Sequence, residues 1–359
     1  MKPKLTVITP VYNIAEYLPR FFECFKAQTF RDYQLLVLDD GSADNSLEVC
    51  RKYAAEDDRI RVIASEHLGV TRIRNYSLQF IDTPLVAWAD GDDIIDPDYL
   101  KHLVDAIEKY DADLSISRVE YLRESDLQQT TIIPEREETF AEGDALRDLL
   151  PDMLWERRLN YFYAKMFRSS LLKTIRAEED VEQGSDTMCM IQYIHKAKSV
   201  VLINDVDYHY VKYGKRSVTS YFGEKAFARL LRINLFVREC CRENNTLTER
   251  MEHTIDGRIF LSGIWITEKI MAADMSEEER IKQLSGVLDN EEYRAAYQRQ
   301  KDKLDYDFEP IPPQSGEKYY RDEMRRKRKM QRRGKILSHS PAFFVKHYQN
   351  LKYRKNGED

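Results

Sequence analysis

The sequence predicts an α/β fold: a mixed, mostly parallel sheet flanked by helices, with a C-terminal helical accessory region. Three observations predict it. Between residues 5 and 110, short apolar runs rich in β-branched residues alternate with segments of helical periodicity. Each of those runs ends in a polar cluster. Beyond about residue 223 the strand signals stop and long amphipathic stretches begin.

The elements follow in order. Leu5 to Thr9 reads as a buried strand, and Pro10-Val11-Tyr12-Asn13 stops it. Glu16 to Gln28 carries Leu18, Phe21, Phe22 and Phe25 at helical spacing. Gln34 to Leu38 is a second buried strand, ending in Asp39-Asp40-Gly41-Ser42. A helix opens near Ser42 or Asp44, both good N-caps. Ile60 to Ala64 is a third strand and Gly69 to Phe80 a helix. Leu85 to Ala89 is a fourth strand, and Pro97 to Tyr110 the helix after it. The next hundred residues are less regular. Leu114 to Ile116, Thr130 to Ile133, Tyr161 to Phe167, Val200 to Ile203 and Val206 to Tyr210 read as strands. Gly143 to Leu150 and Thr187 to Lys196 read as helices, the second capped by Ser185 or Asp186. Lys212 to Ser220 is a basic, polar loop. The domain boundaries expected are 1–222 for the α/β domain, 223–308 for the helical region and 309–359 for a Pro-rich linker with a basic tail.

The chemistry gathers at the strand ends. Tyr12-Asn13, Asp39-Asp40, Glu66-His67 and Asp90 to Asp93 each follow a predicted strand. In open α/β sheets the ligand lies outside the carboxyl ends of the strands, so four loops meet on one rim. Asp90-Gly91-Asp92-Asp93 places three carboxylates in four residues, and desolvated like charges need a cation. Mg²⁺ uses one or two carboxylates plus phosphate oxygens. By spacing alone a metal–phosphate site and a polar turn before the next helix both fit. No G-x-G-x-x-G follows the first strand, and no G-x-x-x-x-G-K-[ST] occurs anywhere. That argues against a hydride-transfer enzyme and a P-loop phosphotransferase.

Four motifs now stand in order: Thr9-Pro10-Val11-Tyr12-Asn13, Leu38-Asp39-Asp40-Gly41-Ser42-Ala43-Asp44, Arg74-Asn75 and Asp90-Gly91-Asp92-Asp93. Together they resemble the signature of family 2 glycosyltransferases, over roughly residues 4–100. The resemblance continues more loosely to about Ser220. It implies the Rossmann-like GT-A fold, with 1–110 as the nucleotide-binding half and 111–222 as the acceptor half. It also implies an inverting, metal-dependent transfer from a nucleotide-sugar, a UDP-sugar first, to a hydroxyl of a cell-surface polysaccharide, glycoconjugate or teichoic acid. Carried over by position, Pro10 and Tyr12 pack on the nucleotide base, with Asn13 in the same motif. Asp40 accepts from the base imide N–H, with Asp39 beside it. Arg74 approaches the base or the diphosphate. Asp90, next to Gly91, contacts the ribose, and Asp92 holds Mn²⁺ or Mg²⁺. Asp186 is the catalytic base, with Ser185 standing where the family usually has Glu. His209, Lys212, Arg216 and Ser217 are candidates for closing on the diphosphate. Trp155 and the Tyr161 to Tyr163 aromatics are either an acceptor platform or core.

Composition bounds the partners. Hydrophobic residues make up 42% and charged ones 33%, the proportions of a soluble globular protein. The net charge of −6 conceals an asymmetry: residues 317–355 hold fourteen Lys or Arg against three acids. An acidic body without an RNA-binding signature argues against nucleic acid. The basic tail suits an anionic membrane surface, a polyanionic acceptor, or a contact between copies in a homo-oligomer. Five cysteines show no metal-ligand spacing and read as free thiols. No opening signal peptide and no long apolar run are visible, so the expected location is cytoplasmic, peripheral at the inner face of the cell membrane. Two other functions remain open to these residues: a nucleotide-sugar-binding scaffold with weak catalysis, and a nucleotidyltransferase.

Overall fold

A computed structural model of the chain describes residues 2–181, 184–213, 225–300 and 316–332. It divides into two compact units, Met1–Ser220 and Tyr221–Asp359.

The first unit opens with β1 (Leu5–Val11), whose residues are buried almost throughout. Helix α1 (Leu18–Ala27) starts with proline in its first turn, where a missing N–H costs nothing. Leu18, Phe21, Phe22 and Phe25 form its buried face, each worth about 1.5–3 kcal/mol of burial. Then come β2 (Tyr33–Asp39), α2 (Ser46–Glu56), β3 (Ile60–Ala64), α3 (Val70–Ser77), β4 (Leu85–Trp88), the two-residue β5 (Ile94–Ile95) and α4 (Tyr99–Tyr110). Buried Gln28 joins the two ends of this half. Its Nε2 donates to the carbonyls of Cys24 and Asp96, and its Oε1 accepts from the Leu100 N–H at the start of α4.

The second half supplies β6 (Leu114–Ile116), β7 (Val119–Arg123), β8 (Gln129–Ile132), β9 (Thr139–Glu142), α5 (Gly143–Trp155), β10 (Lys165–Arg168), α6 (Ser169–Leu172), α7 (Ser185–Lys196), β11 (Ser199–Leu202) and β12 (Tyr208–Lys212). The main sheet runs β3-β2-β1-β4-β10-β6-β11-β9. Strand β10 is antiparallel to both β4 and β6, and β9 to β11, while the others share one direction. The mixed, mostly parallel sheet expected from the sequence is therefore present. A second sheet, β5-β12-β7-β8, is not foreseen from the sequence as a sheet. Its β8 and β12 overlap the strands expected at 130–133 and 206–210, but β5 and β7 are short and partly exposed and carry little apolar signal.

The strand expected over Tyr161 to Phe167 begins only at Lys165. Ala164 takes a left-handed φ of 57°, which breaks the extended run. Tyr161 and Tyr163 are buried and stack on each other with centroids 4.3 Å apart, and Tyr163 stacks on Tyr208 in turn. These rings are core rather than an open platform.

The second unit is helical: α8 (Ala226–Glu243), α9 (Glu249–Ala272), α10 (Glu277–Leu288), α11 (Glu291–Gln300) and α12 (Gly316–Arg332). The Thr248 side chain caps α9 and the Ser276 side chain caps α10, each followed by acids in the first turn. Phe227, Ile259, Phe260 and Ile264 enter its core, while Trp265 is 36% exposed. Buried Asp256 is held by two arginines. Its Oδ1 accepts from Arg238 at 2.8 Å, and Arg299 binds both of its oxygens. Arg238 also meets Glu252 and Glu292, each at 3.0 Å. The expected linker, 309–315, and the tail beyond Arg332 lie outside the described residues.

Candidate active site

The loops after β1 to β4 meet at one rim of the main sheet. Asn13 stands at φ 54°, and its Oδ1 accepts from the Ala43 N–H at 2.7 Å. Its own N–H donates to the Ser42 hydroxyl, which stitches the β1 loop to the β2 loop. Pro10, in β1, is half-buried beside them. Asp39 is buried; its Oδ2 accepts from Ser42 N–H, and its Oδ1 has no hydrogen-bond partner among the described residues. Asp40 is buried too, and each of its oxygens accepts a backbone N–H, from Leu68 at 2.7 Å and from Gly69 at 3.0 Å. Tyr12 is 46% exposed and stacks on His67. Gly41 makes this possible. A Cβ there would lie 2.7 Å from the His67 backbone nitrogen, and its φ of +70° is left-handed.

The acid run follows β4. Gly91 packs against side chains: a Cβ there would lie 2.8 Å from Ile14 Cδ1 and 3.2 Å from Leu18 Cδ2, so both would have to shift. The carboxyl of Asp90 is pushed up to about 7 by burial, then by the charges of Asp92 and Asp186, with Arg74 opposing. Burial also raises Asp92. Asp93 is raised well above the usual range, by burial and then by Asp92 and Asp90. Asp93 has the structural task. Its Oδ2 accepts from the Tyr208 hydroxyl and its Oδ1 from the Val211 N–H, fastening β12 to the rim. The Tyr208 hydroxyl in turn accepts from the Asp90 N–H.

The rim also receives a distant segment. Asp186 is the second residue of α7, and its Oδ1 lies 2.6 Å from Arg74 Nη2. Arg74 Nη1 donates to the hydroxyl of Ser185, which also meets the Thr71 hydroxyl. The guanidinium lies over the Phe162 ring at 4.5 Å. With a neutral Ser185 beside it, Arg74 forms its ion pair with Asp186.

His209 and Lys212 have other partners. His209 Nδ1 is 2.7 Å from Glu120 and its Nε2 is 3.2 Å from Asp96. Lys212 Nζ donates to the Thr130 hydroxyl and lies over the Tyr121 ring. These contacts knit the second sheet together. Arg216 and Ser217 lie outside the described residues. His67 stands on the rim where the strand-end rule puts it, stacked on Tyr12, while two further rim residues escape sequence reasoning, Arg20 and Tyr213. The side chains of Arg20 and Tyr213 both donate to the Asp92 carbonyl. Their only sequence signal is a polar group on an otherwise apolar face, which is common in any protein.

Carboxyls raised by burial, and at Asp90 also by the charge of Asp92, suit a hard divalent cation, which offsets both penalties. Asp90 and Asp92 therefore fit one. Among the described residues, three ligand atoms already within 4.8 Å of one another occur elsewhere, at His102, Asp205 and Asp207. There His102 Nδ1 is paired with Asp207 Oδ2 at 2.8 Å.

Residues 6–175 match the family described as glycosyl transferase family 2. That match puts a family 2 glycosyltransferase domain at residues 6–175. Glycosyltransferase GlyA of Streptococcus pneumoniae is 35% identical to the domain over 123 residues, 34% of this chain and 18% of that one. The minor teichoic acid biosynthesis protein GgaB of Bacillus subtilis is 23% identical over 219 residues, 57% of this chain and 22% of its own. The chain thus spans about a fifth of the length of these relatives. Residues 1–349 of S. aureus TarS, solved in complex with UDP-GlcNAc, superpose with a TM-score of 0.64 at 18% identity, covering 89% of this chain and 92% of that one. The glycosyltransferase domain therefore has the GT-A fold, and the helical region after it is present as expected. No described helix is long and apolar enough to cross a membrane.

Proposed function

We propose that the chain transfers a sugar from a UDP-sugar to a hydroxyl of a cell-surface polysaccharide, glycoconjugate or teichoic acid, with inversion. The observation that carries this is Asp186: it reaches a rim whose acids lie about a hundred residues earlier, and it is paired there with Arg74. UDP-GlcNAc in the TarS complex and teichoic acid biosynthesis in the name of GgaB support the donor and acceptor classes.

In this reading Tyr12 and Pro10 bear the base, and Asp40 accepts its N–H. Asp92, with Asp90, would hold Mn²⁺ or Mg²⁺. A metal there supplies Lewis-acid neutralisation of the diphosphate, worth several kcal/mol. Asp186 takes the proton of the acceptor hydroxyl. The freed oxygen bonds to the anomeric carbon while the bond from that carbon to the diphosphate oxygen breaks, and UDP leaves. A base on the face opposite the leaving group gives inversion. Arg74 orients Asp186, and Ser185 orients Arg74. The basic segment 317–355 is the part read as meeting an anionic surface.

Purified chain with Mn²⁺ and UDP-GlcNAc should release UDP. Asp186→Asn should slow release about 10²–10⁴-fold, the usual worth of a general base. Asp92→Asn should lower Mn²⁺-dependent release by orders of magnitude. Full activity in both variants overturns the reading. UDP binding without turnover over a broad panel of donors and acceptors would favour the scaffold instead.

A further inference from the structure

The loop after β3 places a ring where the proposed function places the nucleotide base. The His67 imidazole stacks on Tyr12 with centroids 4.2 Å apart and planes 21° from parallel. Its Nδ1 lies 3.0 Å from Asp40 Oδ2 and 3.1 Å from the Asp40 carbonyl oxygen. An aromatic ring on Tyr12 with a ring N–H aimed at Asp40 is what a pyrimidine imide would offer to the same two residues. We infer that His67 is a built-in surrogate for the base, occupying the nucleobase subsite until the donor displaces it. This rests on the proposed donor reading, in which Tyr12 and Asp40 receive the base.

The surroundings allow such an exchange. A carboxylate has about four acceptor positions. The amides of Leu68 and Gly69 take one on each oxygen of Asp40, and His67 takes a further one on Oδ2. Removing the imidazole frees that position and one face of Tyr12 together. The loop backbone stays anchored by those two amides and by its close approach to Gly41. The exchange therefore needs only side-chain rotation at His67, whose side chain is 52% exposed. A ligand that must first displace an internal competitor binds with an affinity lowered by the fraction of molecules still blocked.

Titration calorimetry of UDP with the full chain tests this. His67→Ala should tighten UDP binding by about 3- to 10-fold, the penalty of a mostly blocked subsite. His67→Phe keeps the stack and loses the N–H, while His67→Gln does the reverse, so both should fall between wild type and His67→Ala. Inorganic pyrophosphate, which has no ring, should bind wild type and His67→Ala equally. Unchanged or weaker UDP binding in His67→Ala overturns the inference, as does an equal gain for pyrophosphate. If neither wild type nor any variant binds UDP while all remain folded, the donor reading itself fails and the surrogate falls with it.

Discussion

Two buried charge clusters invite comparison, one at the rim of the α/β unit and one in the helical unit. Both put acids where water is scarce. In the helical unit Asp256 is answered within the protein by Arg238 and Arg299. At the rim, Asp90 and Asp92 sit beside each other, with Arg74 already paired to Asp186. The carboxyl of Asp90 is pushed up to about 7 in consequence. A balanced cluster holds a structure together. An unbalanced one is tolerated where something from outside completes it.

The comparison is broken most severely at Asp256. Asp256→Ala takes the buried acid from Arg299 and from Arg238, which keeps Glu252 and Glu292. Removing one partner of a buried pair costs about 3–5 kcal/mol, and these remaining acids with the half-exposed Arg299 put the loss at the low end of that range. Urea unfolding of the full chain should show that loss, and a change under 1 kcal/mol would mean that the pairing is ornamental.

Asp90→Asn should act in the opposite direction. The folded carboxyl is raised from 3.8 to about 7, so its ionisation costs stability as pH rises through that window, in full above 7 and not at all below 3.8. In metal-free buffer at pH 8 the variant should be more stable by about 2 kcal/mol, allowing for partial exposure, and at pH 3.5 it should match wild type. Mn²⁺ should then raise the melting temperature of wild type more than that of the variant.

The smallest test refines the helical side. Glu268 is raised from 4.5 to about 7 by burial, with Lys269 opposing weakly. Its cost is likewise absent below 4.5 and complete above 7. Glu268→Gln should stabilise by about 1 kcal/mol at pH 8, since solvent screens this half-buried group, and should have no effect near pH 4. Parallel melts at the two pH values check the sign.

Much of this was legible in the sequence because period and punctuation agree there. The run from Leu5 to Tyr110 alternates cleanly, since parallel strands are buried on both faces and read as continuous apolar runs. The rim could be assembled from the strand-end rule alone. The second sheet could not, because β5 has two residues and β7 is partly exposed, which left the expected strands at 130–133 and 206–210 without partners. The other role of His209 was equally hidden. Its partners Glu120 and Asp96 come from strands and loops that only the fold brings together. Arg74 and Asp186 are far apart in sequence, and the resemblance named both without showing that they touch. Ser185, standing where the family usually has Glu, has a part that the sequence does not show. In the fold its hydroxyl accepts from Arg74, so the orientation passes through the arginine.

Gly41 carries a last consequence, one for mutational tolerance. In a saturation scan, position 41 should be among the least permissive in the β2 loop, because even alanine drives the backbone at 66–67 away. Asp40 would lose two amide donors in the same movement. Relatives that carry another residue there should show a compensating change of length or path in the segment after β3. Two loops that share no covalent continuity would then vary as one unit.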